Sequence, residues 1–231
     1  MSDELSDLRD RFQHLDEEIA QVCEKAGRNK DEIKVVVVTK THPVQVLQTL
    51  VDIGHPDIGE NKAQEIVQKV PNIHGNKTIH MVGHLQTNKV VKVVPLVDWI
   101  QSIDSERLAQ KVEQQCEKIG KKMNVLVQVN TSGEETKSGC SPKEAVELCE
   151  KVSKYSFLQF HGLMTIGLWG GEEKDIRQCF RILRSIGEQT KQFTQLPFEL
   201  SMGMSDDFKI AIEEGATIIR LGTYILGRRN Y

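Results

Sequence analysis

The sequence predicts an α/β protein: a single (β/α)8 TIM barrel over residues 1–231, with an additional N-terminal helix at 5–26. Three observations lead there. Short β-branched runs alternate with segments of three- and four-residue apolar period, which argues for parallel strands joined by helices. The clearest run, Lys34-Val35-Val36-Val37-Val38-Thr39-Lys40, is apolar at consecutive positions and suits a strand covered on both faces. Connections are short, and no Pro- or Ser-rich linker or composition break divides the chain. Eight strand–helix units in about 200 residues sit at the low end for a closed barrel. A doubly wound open sheet is the runner-up, although no GxGxxG follows a strand.

The elements follow in order. Leu5, Leu8, Phe12, Leu15, Ile19 and Val22 make 5–26 an amphipathic helix, and Gly27 can close it. After the valine strand, Pro43 opens a helix over 44–53 that Gly54 ends. A short strand at 57–60 precedes a helix over 62–70, stopped by Pro71. Strand 78–82 runs into Gly83-His84-Leu85, and helix 87–94 stops at Pro95. Strand 99–103 leads to a helix over 105–119 with Ser105 as N-cap and Gly120 beyond its end. Strand 124–130 opens into a polar loop, 131–140. Ser141 and Pro142 start a helix that runs to about 155. Strand 158–166, the Gly-rich loop 167–171 and a long helix over 173–193 follow. Strand 198–201, helix 205–214, strand 217–221 and a last turn to Tyr231 complete eight units.

Bulk composition narrows the function classes. With 30 basic and 33 acidic residues the formal charge is -3, which is no electrostatic footprint for nucleic acid or an anionic membrane. Apolar runs fall far short of the ~20 residues a membrane helix needs, and the polar, acidic N-terminus is neither a signal nor a transit peptide. Five cysteines without a CxxC give no zinc pattern. Cys116, Cys149 and Cys179 fit helix cores, so a reduced, cytoplasmic protein is expected.

In such a barrel the chemistry sits on the loops after the strands. The first strand end supplies Lys40, the second Glu60 and Asn61, the third Gly83 and His84, and the sixth Met164 and Thr165. The seventh supplies Ser201, Met202 and Gly203, and the eighth Arg220, Gly222 and Thr223. A lysine at the mouth can be partly desolvated, which lowers its pKa and makes its amine a nucleophile for carbonyl carbon. Taken alone, Lys40 reads more simply as a solvated strand end. Ser201, Gly203, Gly222 and Thr223 can offer backbone N–H groups and small hydroxyls to phosphate oxygens. Serving turn geometry alone is the other role open to the two glycines, and capping a helix the other role for Ser205-Asp206-Asp207. Lys40 facing a phosphate cup suggests a phosphorylated aldehyde, of which pyridoxal 5'-phosphate is the commonest. Arg220 shares its strand face with Gly222 and could face the pyridine nitrogen, keeping it unprotonated because arginine does not readily release a proton. An ion pair with Glu60 or Asp57 is its structural alternative.

At these residues the sequence resembles the pyridoxal-phosphate-binding homeostasis family (the YggS/PROSC proteins), related in fold to the N-terminal barrel of alanine racemase. The resemblance rests on Val38-Thr39-Lys40-Thr41, Gly59-Glu60-Asn61, Ile79-His80-Met81-Val82-Gly83-His84-Leu85-Gln86-Thr87-Asn88-Lys89 and His161-Gly162-Leu163-Met164-Thr165. It continues in Leu200-Ser201-Met202-Gly203-Met204-Ser205-Asp206-Asp207 and Arg220-Leu221-Gly222-Thr223 with Leu226-Gly227. It implies a monomer carrying the cofactor as an internal aldimine on Lys40. Ser201, Gly222 and Thr223 would hold the phosphate and Arg220 the ring nitrogen, while Asn61, His84 and Met164 would line the ring pocket. Three positions depart from the family pattern: Thr39 for Ser, His42 for Lys, and Lys62 for the Tyr that commonly follows Gly-Glu-Asn. The last puts any role of that aromatic ring in doubt.

The leading function is therefore a cytoplasmic carrier and buffer of pyridoxal phosphate, without catalytic turnover and in transient contact with cofactor-dependent apoenzymes. No second β-rich domain with a catalytic tyrosine is expected, and none of Tyr155, Tyr224 and Tyr231 matches a strand end. A small racemase or decarboxylase using the same lysine is the competing class, and a lysine aldolase with a sugar phosphate in the cup is a third.

Overall fold

The computed structural model describes residues 2–227, with side chains from Leu5 onward. Helix α1 (Ser2–Ala26) precedes eight alternating units: β1 (Lys34–Val38), α2 (Val44–Asp52), β2 (Asp57–Glu60), α3 (Ala63–Lys69), β3 (Thr78–Met81), α4 (Val90–Val93), β4 (Trp99–Ile103) and α5 (Glu106–Ile119). The second half holds β5 (Met123–Gln128), α6 (Ala145–Ser153), β6 (Leu158–Met164), α7 (Glu173–Thr190), β7 (Glu199–Ser201), α8 (Phe208–Glu213), β8 (Ile218–Leu221) and α9 (Thr223–Leu226). The remainder of the expected last turn, 228–231, lies outside the described residues.

All neighbouring strands pair in parallel and the sheet closes in the order β1 to β8. Closure rests on β8, which pairs with β1 from Lys34↔Ile218 to Val37↔Leu221. This excludes the open-sheet alternative. The strand period of two then sorts the valines. Val36 turns inward and packs with Trp99, Leu126, Met164 and Ile218. Val37 joins the larger core between strands and helices. The barrel interior is thus a packed core in which this apolar cluster sits among buried polar side chains.

Helix α1 packs on α8 and α9. Phe12 stacks on His55 with ring centroids 3.4 Å apart, and Arg28 Nη1 donates to the carbonyls of Ile212 and Ala216 at 2.8 and 2.7 Å.

Several helices depart from their expected bounds, three of them for a visible reason. The 87–94 segment is α-helical only at Val90–Val93, with 3-10 turns on either side. Four valines crowd χ1 there and Pro95 cannot continue the ladder. Helix α6 starts at Ala145 because Ser141 and Glu144 close the preceding turn on themselves, Ser141 Oγ donating to Glu144 Oε2 at 2.6 Å. Helix α8 starts at Phe208, since Asp207 Oδ1 accepts the Met204 N–H at 2.6 Å and holds 204–207 as a turn. All five cysteines are buried and free. Among the described residues no helix is long and apolar enough to cross a membrane.

Candidate functional site

Lys40 stands directly beyond β1 in a turn closed by the His42 N–H donating to Thr39 O at 3.0 Å. It is half-buried. The next residue, Thr41, is the one described non-glycine with positive φ, at 69°. A left-handed conformation costs a non-glycine residue roughly 1–2 kcal/mol, so something must hold it. That hold comes from α3: Glu65 Oε2 accepts the Thr41 N–H at 2.7 Å. Lys69 Nζ ties the same carboxylate (2.5 Å) to Glu60 Oε1 (2.8 Å) and Thr39 O (3.3 Å). Thr39 Oγ1 also donates to Glu60 Oε1 at 2.8 Å, so the hydroxyl common to Ser and Thr is in use. Burial pushes the Glu60 carboxyl up, against the opposing pull of Lys69 and Thr39. Burial acts upward on Glu65 too, but Lys69 and the Thr41 N–H outweigh it and hold its carboxyl below the usual range. Glu65→Ala is therefore expected to destabilise the fold by about 0.5–1.5 kcal/mol, the usual net worth of a hydrogen bond, since the Thr41 N–H is exposed and Lys69 keeps Glu60. Urea unfolding measures it, and an unchanged midpoint would show that other contacts hold the turn.

The ends of β7 and β8 are drawn together by the backbone. Arg220 N–H donates to Gly203 O at 2.9 Å and Met202 N–H to Ile218 O at 3.0 Å. Gly203 has φ 94°, and a Cβ there would stand 2.6 Å from Ala211 Cβ. Only glycine lets α8 approach this closely while the chain turns. Gly222 caps α9, and a Cβ on it would lie 3.2 Å from Val38 O, so the eighth strand end abuts the first just below Lys40. Ser205 closes the cup: its Oγ accepts the Tyr224 N–H at 3.2 Å. Gly203, Ser205, Gly222 and Thr223 thus lie together at the mouth beside the end of β1, at a helix start where backbone N–H groups favour anions.

Arg220 lies beneath that cup, 4 % exposed. Its Nη1 donates to Ser201 Oγ and its Nη2 to Thr165 O, both at 2.7 Å. Burial pushes the guanidinium down to about 10, opposed by the Asp207 carboxylate, so it is charged at neutral pH. The alternative ion pairs of Arg220 are absent from the contacts seen: Glu60 pairs with Lys69, and Asp57 with His80. Ser201 is fully buried, and its hydroxyl, accepting from Arg220, donates to Gln101 Oε1 at 2.6 Å. Its side chain is thereby directed at the arginine, while Ser205 and Thr223 are the hydroxyl residues at the cup.

Met164 pairs in register with Ser201 and contributes to the apolar floor. Asn61 is exposed at the rim, packed so tightly on Gly83 that a Cβ there would meet Asn61 O at 2.1 Å. His84 stands apart, half-exposed, with Nδ1 3.0 Å from Asp104 Oδ2. The fold therefore gathers Lys40, Met164, Ser201, Gly203, Arg220, Gly222 and Thr223, leaves Asn61 on the edge, and turns His84 toward β4. Sequence reasoning passed over Gln101 and His80, although a polar residue inside a buried strand (Trp-Ile-Gln-Ser-Ile, Thr-Ile-His-Met) is a readable signal. A cavity of about 450 Å³ lies elsewhere, between α1 and α2, and contains none of the expected site residues.

Comparison with known proteins agrees with this fold. A family model described as alanine racemase, N-terminal domain, matches residues 11–230. The pyridoxal phosphate homeostasis protein of Aquifex aeolicus (strain VF5) is 38% identical over 225 residues, covering 96% of this chain and 98% of the relative. A solved structure from Bifidobacterium adolescentis, described as an unknown protein, superposes with TM-score 0.88 at 34% identity, covering 98% and 97% of the two chains. PipY of Synechococcus elongatus PCC7942, solved with PLP bound, superposes with TM-score 0.78 at 29% identity over 91% of this chain and all (100%) of that one.

Proposed function

The chain belongs to the pyridoxal phosphate homeostasis proteins, built on the alanine racemase N-terminal domain, and from that premise we propose that it binds pyridoxal 5'-phosphate through the Lys40 amine and serves as a carrier and buffer of it. We take the whole chain as one domain, acting as a cytoplasmic monomer that hands the cofactor to apoenzymes by transient contact.

The observation that carries this reading is the pairing of a half-buried lysine with a buried, charged Arg220 beneath a glycine-bordered cup. That donor set suits a ligand with a phosphate, a ring nitrogen and an aldehyde. The cofactor supplies an electrophilic carbonyl to a lysine amine and, when its ring nitrogen is protonated, an electron sink. Gly203, Gly222, Thr223 and Ser205 would surround the phosphate with N–H and O–H donors. Arg220 would offer the ring nitrogen a donor that does not give up its proton, which weakens the sink. Met164 would lie under the ring, with Asn61 at its edge. The α3 carboxylates would fix the backbone from which Lys40 reaches inward.

Carrying is favoured over turnover because, among the described residues, no tyrosine is placed to move a substrate proton. The Tyr224 hydroxyl donates to Glu18 on α1, on the outer side of the barrel. The test is an absorption spectrum of the pure protein with pyridoxal phosphate, before and after borohydride, followed by peptide mapping. A visible band lost on reduction, with a pyridoxyl mass on Lys40 and no amino acid consumed, is expected. A protein that takes up no cofactor would overturn the binding, and catalytic consumption of an amino acid would overturn the carrier role.

A further inference from the structure

Beneath Arg220 a single file of hydrogen bonds crosses the barrel interior. Arg220 Nη1 meets Ser201 Oγ at 2.7 Å, Ser201 Oγ meets Gln101 Oε1 at 2.6 Å, and Gln101 Nε2 meets His80 Nδ1 at 3.0 Å. His80 Nε2 then meets Asp57 Oδ1 at 3.0 Å. The five residues come from β8, β7, β4, β3 and β2. Ser201, Gln101 and His80 are fully buried, and only the Asp57 side chain, 25% exposed, reaches solvent. Asp57 opens β2, so the file runs from the mouth to the opposite end of the barrel.

The chemistry of its two ends fixes every proton between them. A guanidinium only donates, so the Ser201 oxygen accepts from it and must send its own hydrogen to Gln101 Oε1. The Gln101 amide is then oriented with N–H toward His80, whose Nδ1 must accept. His80 therefore carries its hydrogen on Nε2 and gives it to the Asp57 carboxylate, which only accepts. Flipping Gln101 would set acceptor against acceptor at His80 Nδ1 and strand the serine hydrogen in a buried site, a cost the file avoids by keeping one direction. Local packing holds the His80 ring in place: Trp99 stacks on it at 5.7 Å and 17°, and the β4 register shift between Ile100 and Ile103 spans Gln101 and Ser102.

We propose that Gln101, His80 and Asp57 are positioning residues of the site, whose one-way hydrogen-bond order sets how Arg220 presents its remaining donors to a ligand and couples occupation of the mouth to His80 at the far end of the barrel. The ligand in this statement rests on the pyridoxal phosphate reading, whereas the proton order does not.

The test uses full-length protein with ¹⁵N-labelled histidine. Without cofactor, His80 is expected as the neutral Nε2–H tautomer near neutral pH, and the opposite tautomer or a charged ring would overturn the order. On loading with pyridoxal phosphate, the His80 nitrogens are expected to shift although His80 lies below the ligand. In Gln101→Met, similar in length but apolar, cofactor is still fixed on Lys40 by borohydride, while its Kd rises roughly tenfold, its visible band moves and the His80 response disappears. Unchanged Kd and band, or a surviving His80 response, would overturn the proposal. Asp57→Asn, at the partly exposed end, serves if Gln101→Met does not fold. It is expected to shift the His80 resonances and raise Kd about threefold, by removing the charge that anchors the file; no change in either overturns the proposal as well. Wild type that takes up no cofactor refutes the functional reading instead, and leaves the tautomer measurement to judge the file.

Discussion

Lys40→Ala is expected to end borohydride fixation of pyridoxal phosphate entirely and to weaken retention of the cofactor by about a hundredfold, roughly 2.7 kcal/mol. The reason is chemical: alanine leaves no amine at the mouth, while Arg220 and the Gly203–Gly222 cup are untouched. The residual, non-covalent binding should therefore keep the phosphate preference and be displaced by inorganic phosphate. Stability should stay within about 1 kcal/mol of wild type, because Lys40 is only half-buried and the turn around it is held by Glu65 through the Thr41 backbone. Equilibrium dialysis with reduced and unreduced samples measures both effects. A pyridoxyl label that persists on another lysine at equal yield would remove Lys40 from the site.

Arg220→Leu should show the converse pattern. At saturating cofactor the borohydride label on Lys40 persists, but affinity falls on the order of a hundredfold, since a charge-assisted donor to the ring is lost. The visible band is also expected to move, as the ring nitrogen no longer faces a fixed cation. Folding should suffer here as it does not in Lys40→Ala. Ser201 Oγ and Thr165 O each lose a donor at 2.7 Å in a site sealed from water. Each stranded acceptor costs about 1–3 kcal/mol, partly offset by no longer burying a charge, so a net loss of roughly 2–4 kcal/mol is expected. Arg220→Lys keeps the charge but cannot span both acceptors, and should fall between. Wild-type affinity and spectrum in Arg220→Leu would mean that the guanidinium does not meet the ring.

Much of this molecule was legible before any coordinates. The Val35–Val38 run, buried on two faces, and the alternation after it point to a parallel α/β barrel because strand and helix periods are local properties of the chain. Lys40, Arg220 and Gly222 were readable as neighbours at the barrel mouth because a barrel brings every strand end to one face, so position along the chain stands in for position in space. The helix starts at 141 and 205 were read one turn early, since Ser141 and Asp207 satisfy backbone or neighbouring groups in turns that resemble caps.

Tertiary structure decided the rest. Closure depended on β8 meeting β1, a pairing between the most distant strands in the sequence. His84 shares a motif with Gly83 yet faces Asp104, because the direction of a side chain beyond a strand end is set by the loop and not by the period. The left-handed Thr41 is held by a carboxylate 24 residues away. The file from Arg220 to Asp57 joins five strands whose residues are scattered over the chain. Sequence by itself determined the periodic elements and the order of the strand ends. Only the closed barrel decided which buried polar groups meet, because a hydrogen bond in a dry interior requires two partners within about 3 Å, and no local pattern encodes that distance.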